Sequence, residues 1–175
     1  DITARKNTET QLLLLAESSA VLFRSLADER TLQAAADLLV PRLADWCVIN
    51  LRSEESGAIE PVAVAHRDPS KVAALRTLIS NHPLTDSGPG TPAVLRTGQA
   101  YFLPHAAPEE IESDGRLATL QAVGLASMII VPLQARSQVI GAITLVRVDP
   151  WPLYSEGDLR FAEELAQRIA LAVDN

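Results

Sequence analysis

The sequence predicts an α+β fold in which a mainly antiparallel sheet carries helices on its faces. Two apolar runs rich in β-branched residues, 126–133 and 139–148, flank a short polar break, which is the pattern of a β-hairpin. Neither run alternates cleanly between apolar and polar residues, so both faces of this hairpin are expected to be covered. Stretches with helical spacing of apolar residues separate further strand pairs, which favours helices layered on the sheet.

Two residues refine the predicted hairpin. Pro132 has no N–H to donate to a ladder, so it is expected near a strand end or with its nitrogen facing away from a partner strand. Gly141 lies inside the second strand, where a glycine indicates a bulge or a close approach of another backbone.

The remaining elements follow from apolar periodicity and from turn residues. Strands are predicted at residues 46–51, 59–66, 100–103, 126–133 and 139–148. Helices are predicted at residues 8–26, 29–43, 70–80, 92–96, 109–122 and from 155 to the end of the chain. Pro41 predicts a kink in the second helix, and Gly98 predicts the end of the short fourth one. Residues 82–91, rich in Gly and Pro, predict a long irregular loop.

Composition excludes several classes of function. The net charge is −7 and the basic residues are scattered, so no nucleic-acid partner is expected. No apolar run approaches the roughly 20 residues that span a bilayer, and the N-terminus has no signal-peptide pattern. Because the chain begins with Asp and ends inside a predicted helix, we expect a piece of a larger cytoplasmic protein.

The sequence contains no recognisable catalytic or metal-binding motif. The three histidines, His66, His82 and His105, do not sit in a motif with Ser, Cys or Asp, so no catalysis is expected within this chain. The single cysteine, Cys47, lies in an apolar run and is interpreted as a small buried hydrophobic residue. The alternative is a thiol that carries a chromophore or senses redox state.

The first predicted helix has a leucine-rich stripe. Leu12, Leu15, Leu22 and Leu26 recur at helical spacing, and two further leucines widen the stripe. Such a seam can pair with a copy of itself, so residues 12–26 predict a homodimer. The alternative is that this helix packs on its own domain.

Five segments resemble the GAF domain, a small-molecule-binding signalling module. They are LADWCVI at 43–49, VLRTGQ at 94–99, VGLASMIIVPL at 123–133, VIGAITLV at 139–146 and the tail DLRFAEELAQRIALAVDN at 158–175. The resemblance implies an α/β/α sandwich around a six-stranded antiparallel sheet, with helices on both faces. It also implies a ligand pocket between the sheet and residues 82–122. Residues 1–6, DITARK, resemble the end of a PAS domain. The expected division is a PAS remnant and signalling helix at 1–30 and a GAF domain at 31–175.

The resemblance implies a non-catalytic sensory domain that binds a small molecule and relays its presence through terminal dimer helices to an output domain. The expected parent is a cytoplasmic bacterial sensor histidine kinase, with flanking PAS and output domains as partners. The alternatives are a domain that regulates a metal-dependent serine phosphatase, and a ligand-free structural dimerisation module. The cofactor is left unknown, because the family's cyclic-nucleotide pattern and its bilin-binding cysteine are absent. A haem sensor using His82 or His105 is a weaker alternative.

Strand alternation together with the family's topology predicts the residues that line the pocket. The predicted ligand-binding residues are Val64, His66, Leu84, Val94, Tyr101, Leu117, Ser127 and Ile129.

Overall fold

The computed structural model describes residues 29–53, 55–85, 87–113 and 115–174. The predicted leader at residues 1–6 and the predicted dimer helix at residues 8–26 lie outside this part of the chain. The homodimer through residues 12–26 therefore stays a prediction.

Six α-helices and five strands form the described part of the fold. The helices are α1 (Glu29–Leu39), α2 (Val72–Asn81), α3 (Thr91–Thr97), α4 (Pro108–Ser113), α5 (Gly115–Gln121) and α6 (Glu156–Asp174). The strands are β1 (Trp46–Arg52), β2 (Ile59–His66), β3 (Tyr101–Leu103), β4 (Ser127–Ala135) and β5 (Gln138–Arg147). A 3₁₀ turn at Pro69–Lys71 precedes α2.

The strands make one sheet in the order β2-β1-β5-β4-β3, and every neighbouring pair is antiparallel. All five strands predicted from residue patterns are present. The six-stranded sheet implied by the family resemblance is wrong for the described residues, which form five strands. The long loop after α2 contributes no strand, since Pro83 and Pro89 lack the N–H groups that a ladder needs.

The central hairpin confirms the strand prediction in detail. Arg136 and Ser137 both have positive φ, so two residues make the turn, which is shorter than the predicted break. Pro132 lies beyond Ile130, where the pairing of β4 with β3 ends, so its missing N–H leaves no gap in that ladder. At Gly141 a Cβ would overlap the Asn50 carbonyl oxygen of β1, which confirms the predicted close approach.

Each face of the sheet has its own apolar cluster. On one face, α1 and α6 pack over a buried apolar core. Its helical contribution is the apolar stripe Leu32, Ala36, Leu39, Ala162, Leu165 and Ile169. On the other face, the short elements α2, α3 and α5 cover a second cluster through Leu75, Val94, Leu95 and Leu117. The prediction that both faces of the hairpin are covered is confirmed.

Two predicted helices differ in extent from the observed ones. The helix predicted at 29–43 ends at Leu39, two residues before Pro41, rather than continuing through a kink. Because Pro41 has no N–H for a helical hydrogen bond, ending the helix before it costs less free energy than continuing the helix through a kink. The helix predicted at 109–122 is two short helices, α4 and α5, and the second begins at Gly115, a residue of low helix propensity.

Candidate functional site

A cavity of about 520 Å³ lies between the sheet and the layer of short helices and loops. We refer to it as the sheet cavity. Its floor consists of side chains from three adjacent central strands. These are Trp46, Val48 and Asn50 of β1, Thr144 of β5, and Met128 and Ile130 of β4.

The cover of the sheet cavity comes from three segments. The end of α2 supplies Leu78 and Ile79, and the following irregular loop adds His82, Pro83, Leu84, Thr85, Gly88 and Pro89. The start of α3 supplies Thr91 and Pro92, and α5 supplies Gly115, Thr119 and Leu120. The loop predicted as long and irregular at 82–91 therefore forms much of one wall, as is common for ligand sites built on a rigid sheet.

Strand alternation explains why these floor residues converge. In β1, Trp46, Val48 and Asn50 face the cavity, while Cys47 and Ile49 face the helical core. Thr144 pairs with Val48 on one side and with Ile130 on the other. The floor is therefore one continuous patch across three hydrogen-bonded strands, so its side chains are held by a rigid backbone.

The floor is apolar except for two buried polar side chains. Asn50 is 4% exposed and Thr144 is 7% exposed. Within the described residues, neither the Asn50 carboxamide nor the Thr144 hydroxyl makes a side-chain hydrogen bond, and neither is among the fully buried polar atoms that lack a partner, so both are accessible from the cavity. Both groups are therefore free to bond a small molecule or ordered water inside the cavity.

Trp46 contributes its ring rather than its polar atom. Its indole N–H donates to the Gly124 carbonyl oxygen over 2.9 Å, and its side chain is 1% exposed. Gly124 has φ +116, and a Cβ there would overlap Val148, so only glycine fits this turn. The hydrogen bond fixes the ring in the floor and satisfies the nitrogen.

The structure brings only part of the predicted ligand-binding set to the sheet cavity. Leu84 lines it. Val64, Val94, Tyr101 and Leu117 lie on the cavity side of the sheet, in or against the apolar cluster that surrounds the cavity, but not in its lining.

Ser127 and Ile129 are placed on the opposite face from the one predicted. Ile129 is part of the helix-facing core, and the Ser127 hydroxyl accepts a hydrogen bond from the Tyr154 N–H at 2.9 Å, just before α6. The expected register of β4 was off by one residue, and the cavity-facing positions are Met128 and Ile130. Both faces of β4 are apolar, so the sequence pattern carried no signal for which face is which.

Asn50 and Thr144 line the sheet cavity and are not among the predicted ligand-binding residues. The available signal was a polar residue inside each of two strongly apolar strands, Asn50 after VI and Thr144 after AI. A polar residue in a strand covered on both faces is costly unless it has a partner, so such positions mark candidate sites.

His66 lies at a second, separate hollow of about 530 Å³, which we call the side hollow. Its Nδ1 accepts the Asp68 N–H at 2.9 Å, so Nε2 carries the proton of the neutral ring, and this buried Nε2 has no hydrogen-bond partner among the described residues. Burial, with the Lys71 charge as the next cause, lowers the pKa of His66. The side hollow mixes three acids, Asp45, Asp68 and Asp149, with the bases Arg67 and Lys71, so it has no clear preference for one sign of charge.

Two arginines stack on the Trp151 ring beside the side hollow. The guanidinium carbons of Arg67 and Arg147 lie 4.6 Å and 4.4 Å from the centroid of the Trp151 ring. Arg147 also donates to the Leu43 carbonyl oxygen at 3.1 Å and approaches the Asp158 carboxylate at 3.5 Å. Asp158 and Ser155 cap α6 reciprocally through 2.9 Å and 3.1 Å hydrogen bonds. The cluster therefore ties the end of β5 to the first turn of α6.

The other candidate residues are placed as follows. His82 lines the sheet cavity but is exposed, and its Nδ1 donates to the Leu78 carbonyl oxygen at 3.0 Å. His105 is exposed and does not line the sheet cavity. Cys47 is fully buried in the helix-facing core, and this burial raises the pKa of its thiol strongly. In the described ranges, no group of three His, Cys, Asp or Glu side chains is arranged to hold a metal ion.

No helix within the described residues is both long and apolar enough to cross a bilayer.

The chain matches the GAF domain family over residues 28–173. No curated protein sequence matches the chain. Among solved structures, the GAF domain of an Acinetobacter phosphoenolpyruvate-protein phosphotransferase is similar, with a TM-score of 0.71, 19% identity and coverage of 94% of this chain and 92% of that one.

Two further solved structures are similar. The GAF domain of a putative sensor histidine kinase from Pseudomonas syringae pv. tomato has a TM-score of 0.64 and 12% identity, covering 99% of this chain and 93% of that one. The free methionine-R-sulfoxide reductase of Neisseria meningitidis, in complex with its substrate, has a TM-score of 0.67 and 17% identity, covering 97% and 90%. At these identities the likeness concerns the fold alone.

Proposed function

Because the chain belongs to the GAF domain family, we propose that it is a non-catalytic sensory domain that binds a small molecule in the sheet cavity. The observation that carries the proposal is the cavity of about 520 Å³ with an apolar floor and two buried polar side chains, Asn50 and Thr144. Concave, mostly apolar sites with a few fixed polar groups are the usual form of small-molecule sites.

The proposed relay runs through the sheet. β1, β4 and β5 each present alternate side chains to the cavity and to the helical core, so the same strands support the ligand on one face and α6 on the other. The Arg147 cluster ties β5 to the start of α6. A ligand shifts the helices only if it binds one helix arrangement more tightly than another. The sheet can couple the two because it contacts the ligand on one face and the helices on the other.

The proposed context is a bacterial signalling protein in which α6 and residues 12–26 of two copies form the dimer contact. A sensor histidine kinase is proposed as the parent because the resemblance to the family implies it, and the match to the GAF domain family supports a signalling role. Regulation of a serine phosphatase is the alternative parent, and a ligand-free dimerisation module is the alternative function.

The absence of catalysis is part of the proposal, although one similar structure is a methionine sulfoxide reductase. The chain has one cysteine, and a reactive cysteine needs exposure and a lowered pKa. Cys47 has neither, since it is buried on the helical face of the sheet and burial raises its pKa. This placement supports a binding role for the cavity.

Native mass spectrometry of the purified chain tests binding. We expect added mass that is lost on denaturation, either as purified or after incubation with a bacterial metabolite extract. Thr144→Phe fills the floor of the sheet cavity and is expected to abolish the added mass. Thr77→Phe, at an exposed position of α2 outside the lining, is the matched control and is expected to keep it.

Two results would contradict the proposal. If no added mass is seen under either condition, the ligand-free module is favoured. If Thr144→Phe retains the same added mass as the unmodified chain, the molecule binds outside the sheet cavity. The same spectra report the assembly, and a monomer would contradict the dimer part of the proposal.

A further inference from the structure

The sheet cavity has a polar feature that restricts the chemistry of its ligand. Asn50 pairs with Ala142 of β5, and Thr144 lies two residues further along the same strand, so the two polar side chains are diagonal neighbours on one face. Diagonal neighbours in an antiparallel pair stand about 7–8 Å apart. One planar group of a ligand can therefore reach both side chains.

A carboxamide presents a donor and an acceptor side by side. Its best complement is a planar edge with an acceptor beside a donor, which is the edge of a cis amide. The Thr144 hydroxyl can both donate and accept a hydrogen bond. It can therefore donate to the second lone pair of the ligand's carbonyl oxygen, or bond to a neighbouring polar atom of the ligand. A carboxylate would meet the carboxamide donor but would place its second oxygen against the carboxamide acceptor.

The rest of the lining disfavours a charged ligand. None of the described lining residues is Asp, Glu, Lys or Arg, and His82 is exposed at the cavity wall. A charge buried without a partner is strongly unfavourable. The floor around the polar pair is formed by Trp46, Val48, Met128 and Ile130, which suits an apolar body, and the tryptophan suits a flat ring.

We infer that Asn50 and Thr144 recognise the cis-amide edge of a neutral, otherwise apolar ring molecule, of the lactam type, bound in the sheet cavity. This rests on the proposed small-molecule function and specifies the ligand class. The two side chains are binding residues, and the apolar floor holds the remainder of the ring. Ordered water alone is the competing occupant of this polar pair.

Three related probes test the inference. They are quinolin-2(1H)-one, a neutral lactam; 1-methylquinolin-2-one, in which a methyl group replaces the N–H; and quinoline-2-carboxylate, which is charged. Each is titrated into the ¹⁵N-labelled chain and followed by NMR, which gives the Kd and shows whether β1 and β5 amides shift. We expect the lactam to bind about tenfold more tightly than its N-methyl analogue, since that analogue leaves a buried acceptor unpaired. We expect quinoline-2-carboxylate to bind more weakly than both.

Variants assign the discrimination to the polar pair. Asn50→Leu keeps a side chain of similar size and is expected to reduce the preference for the lactam to less than about twofold, and the isosteric change Thr144→Val is expected to reduce it in part. Asn81→Leu, at the exposed end of α2 outside the lining, is the matched control and is expected to leave the preference unchanged. Thr144→Val serves as the independent test if Asn50→Leu fails to fold.

Equal binding of the lactam and its N-methyl analogue, with shifts in β1 and β5, would overturn the ligand class while leaving the cavity as a small-molecule site. Retention of the preference in both Asn50→Leu and Thr144→Val would overturn the assignment of these residues. If no probe shifts the cavity amides, the inferred class is also overturned. The proposed function is then judged separately, by the mass added from a metabolite extract.

Discussion

Cys47 lies in the helix-facing core with no exposed surface, between the α1–α6 layer and the sheet. Desolvation is the main reason why the pKa of its thiol is raised far above the ordinary value, and the Asp37 charge acts in the same direction. The neutral thiol is compatible with the core, whereas the thiolate is not. In the unfolded chain the same thiol ionises near its ordinary pKa of about 8.5.

This difference predicts a loss of stability at alkaline pH. Because the unfolded state releases the Cys47 proton at a lower pH than the folded state, the free energy of unfolding falls once the pH exceeds about 8.5. Between about pH 7.5 and about pH 9.5, the unmodified chain is expected to lose about 1.4 kcal/mol more than Cys47→Ala, measured by urea unfolding at both pH values. Tyr154, whose pKa burial also raises, is present in both proteins and cancels in the comparison. An equal loss in the two proteins would show that Cys47 is not the cause.

At the scale of elements, the sequence predicts which helices and strands exist better than it predicts where they end or which face of the sheet a strand residue occupies. β1 and β2 were located to within one residue, because their apolar runs end at turn residues. The α4–α5 break was missed because acidic and apolar residues keep helical spacing across it. The one-residue error in β4 moved Ser127 and Ile129 to the wrong face, since a strand buried on both faces has no polar side to mark its register.

The β1–β5 pairing provides an element-scale prediction. Gly141→Ala is expected to lower the free energy of unfolding by about 1–3 kcal/mol, because its Cβ would overlap the Asn50 carbonyl oxygen and crowd Leu51. Gly115→Ala, at the start of α5, is the matched control. A Cβ there contacts nothing within 4 Å, and the change is expected to be neutral or to stabilise by up to about 1 kcal/mol.

Denaturant unfolding of both glycine variants, with the m-value checked for constancy, distinguishes the two positions. Similar losses for Gly141→Ala and Gly115→Ala would contradict the close approach of β1 and β5 at Gly141.

At the scale of the whole molecule, the two faces of the sheet are built differently. α6 spans 19 residues and buries a continuous apolar stripe, whereas α2 fully buries only Leu75. The layer that covers the sheet cavity therefore has less apolar contact holding it than the helical core does. Local opening is expected where buried apolar contacts are few.

This asymmetry predicts a two-level pattern of amide hydrogen exchange. Amides of α2, α3 and α5 are expected to exchange at least roughly tenfold faster than those of β4, β5 and α6 under native conditions. Hydrogen-exchange mass spectrometry of the unmodified chain measures these exchange rates directly. Thr77→Phe, at an exposed position of α2, is the control and is expected to leave the difference between the two layers unchanged. Uniform protection of both layers would contradict the prediction.

The general position of the site could be anticipated from the sequence, whereas its residues could not. The resemblance to the GAF domain implies a pocket between the sheet and residues 82–122, and Leu84, one of the predicted lining residues, lines the sheet cavity. Asn50 and Thr144 escaped prediction because their importance depends on what surrounds them in space. The sequence shows only that each is a polar residue in an apolar strand, and the structure is needed to show that both face the same cavity.

The division of alternate strand residues between the two faces has a consequence for how such a domain diversifies. Substitutions at Trp46, Val48, Asn50 or Thr144 alter the floor of the sheet cavity. Neighbouring residues of the same strands, Cys47, Ile49, Ile143 and Leu145, pack against the helices on the opposite face. The residues that line the sheet cavity and the residues that pack against the helices thus alternate along the same strands. A substitution at a floor position can therefore change the lining of the sheet cavity without changing a residue that packs against α1 and α6.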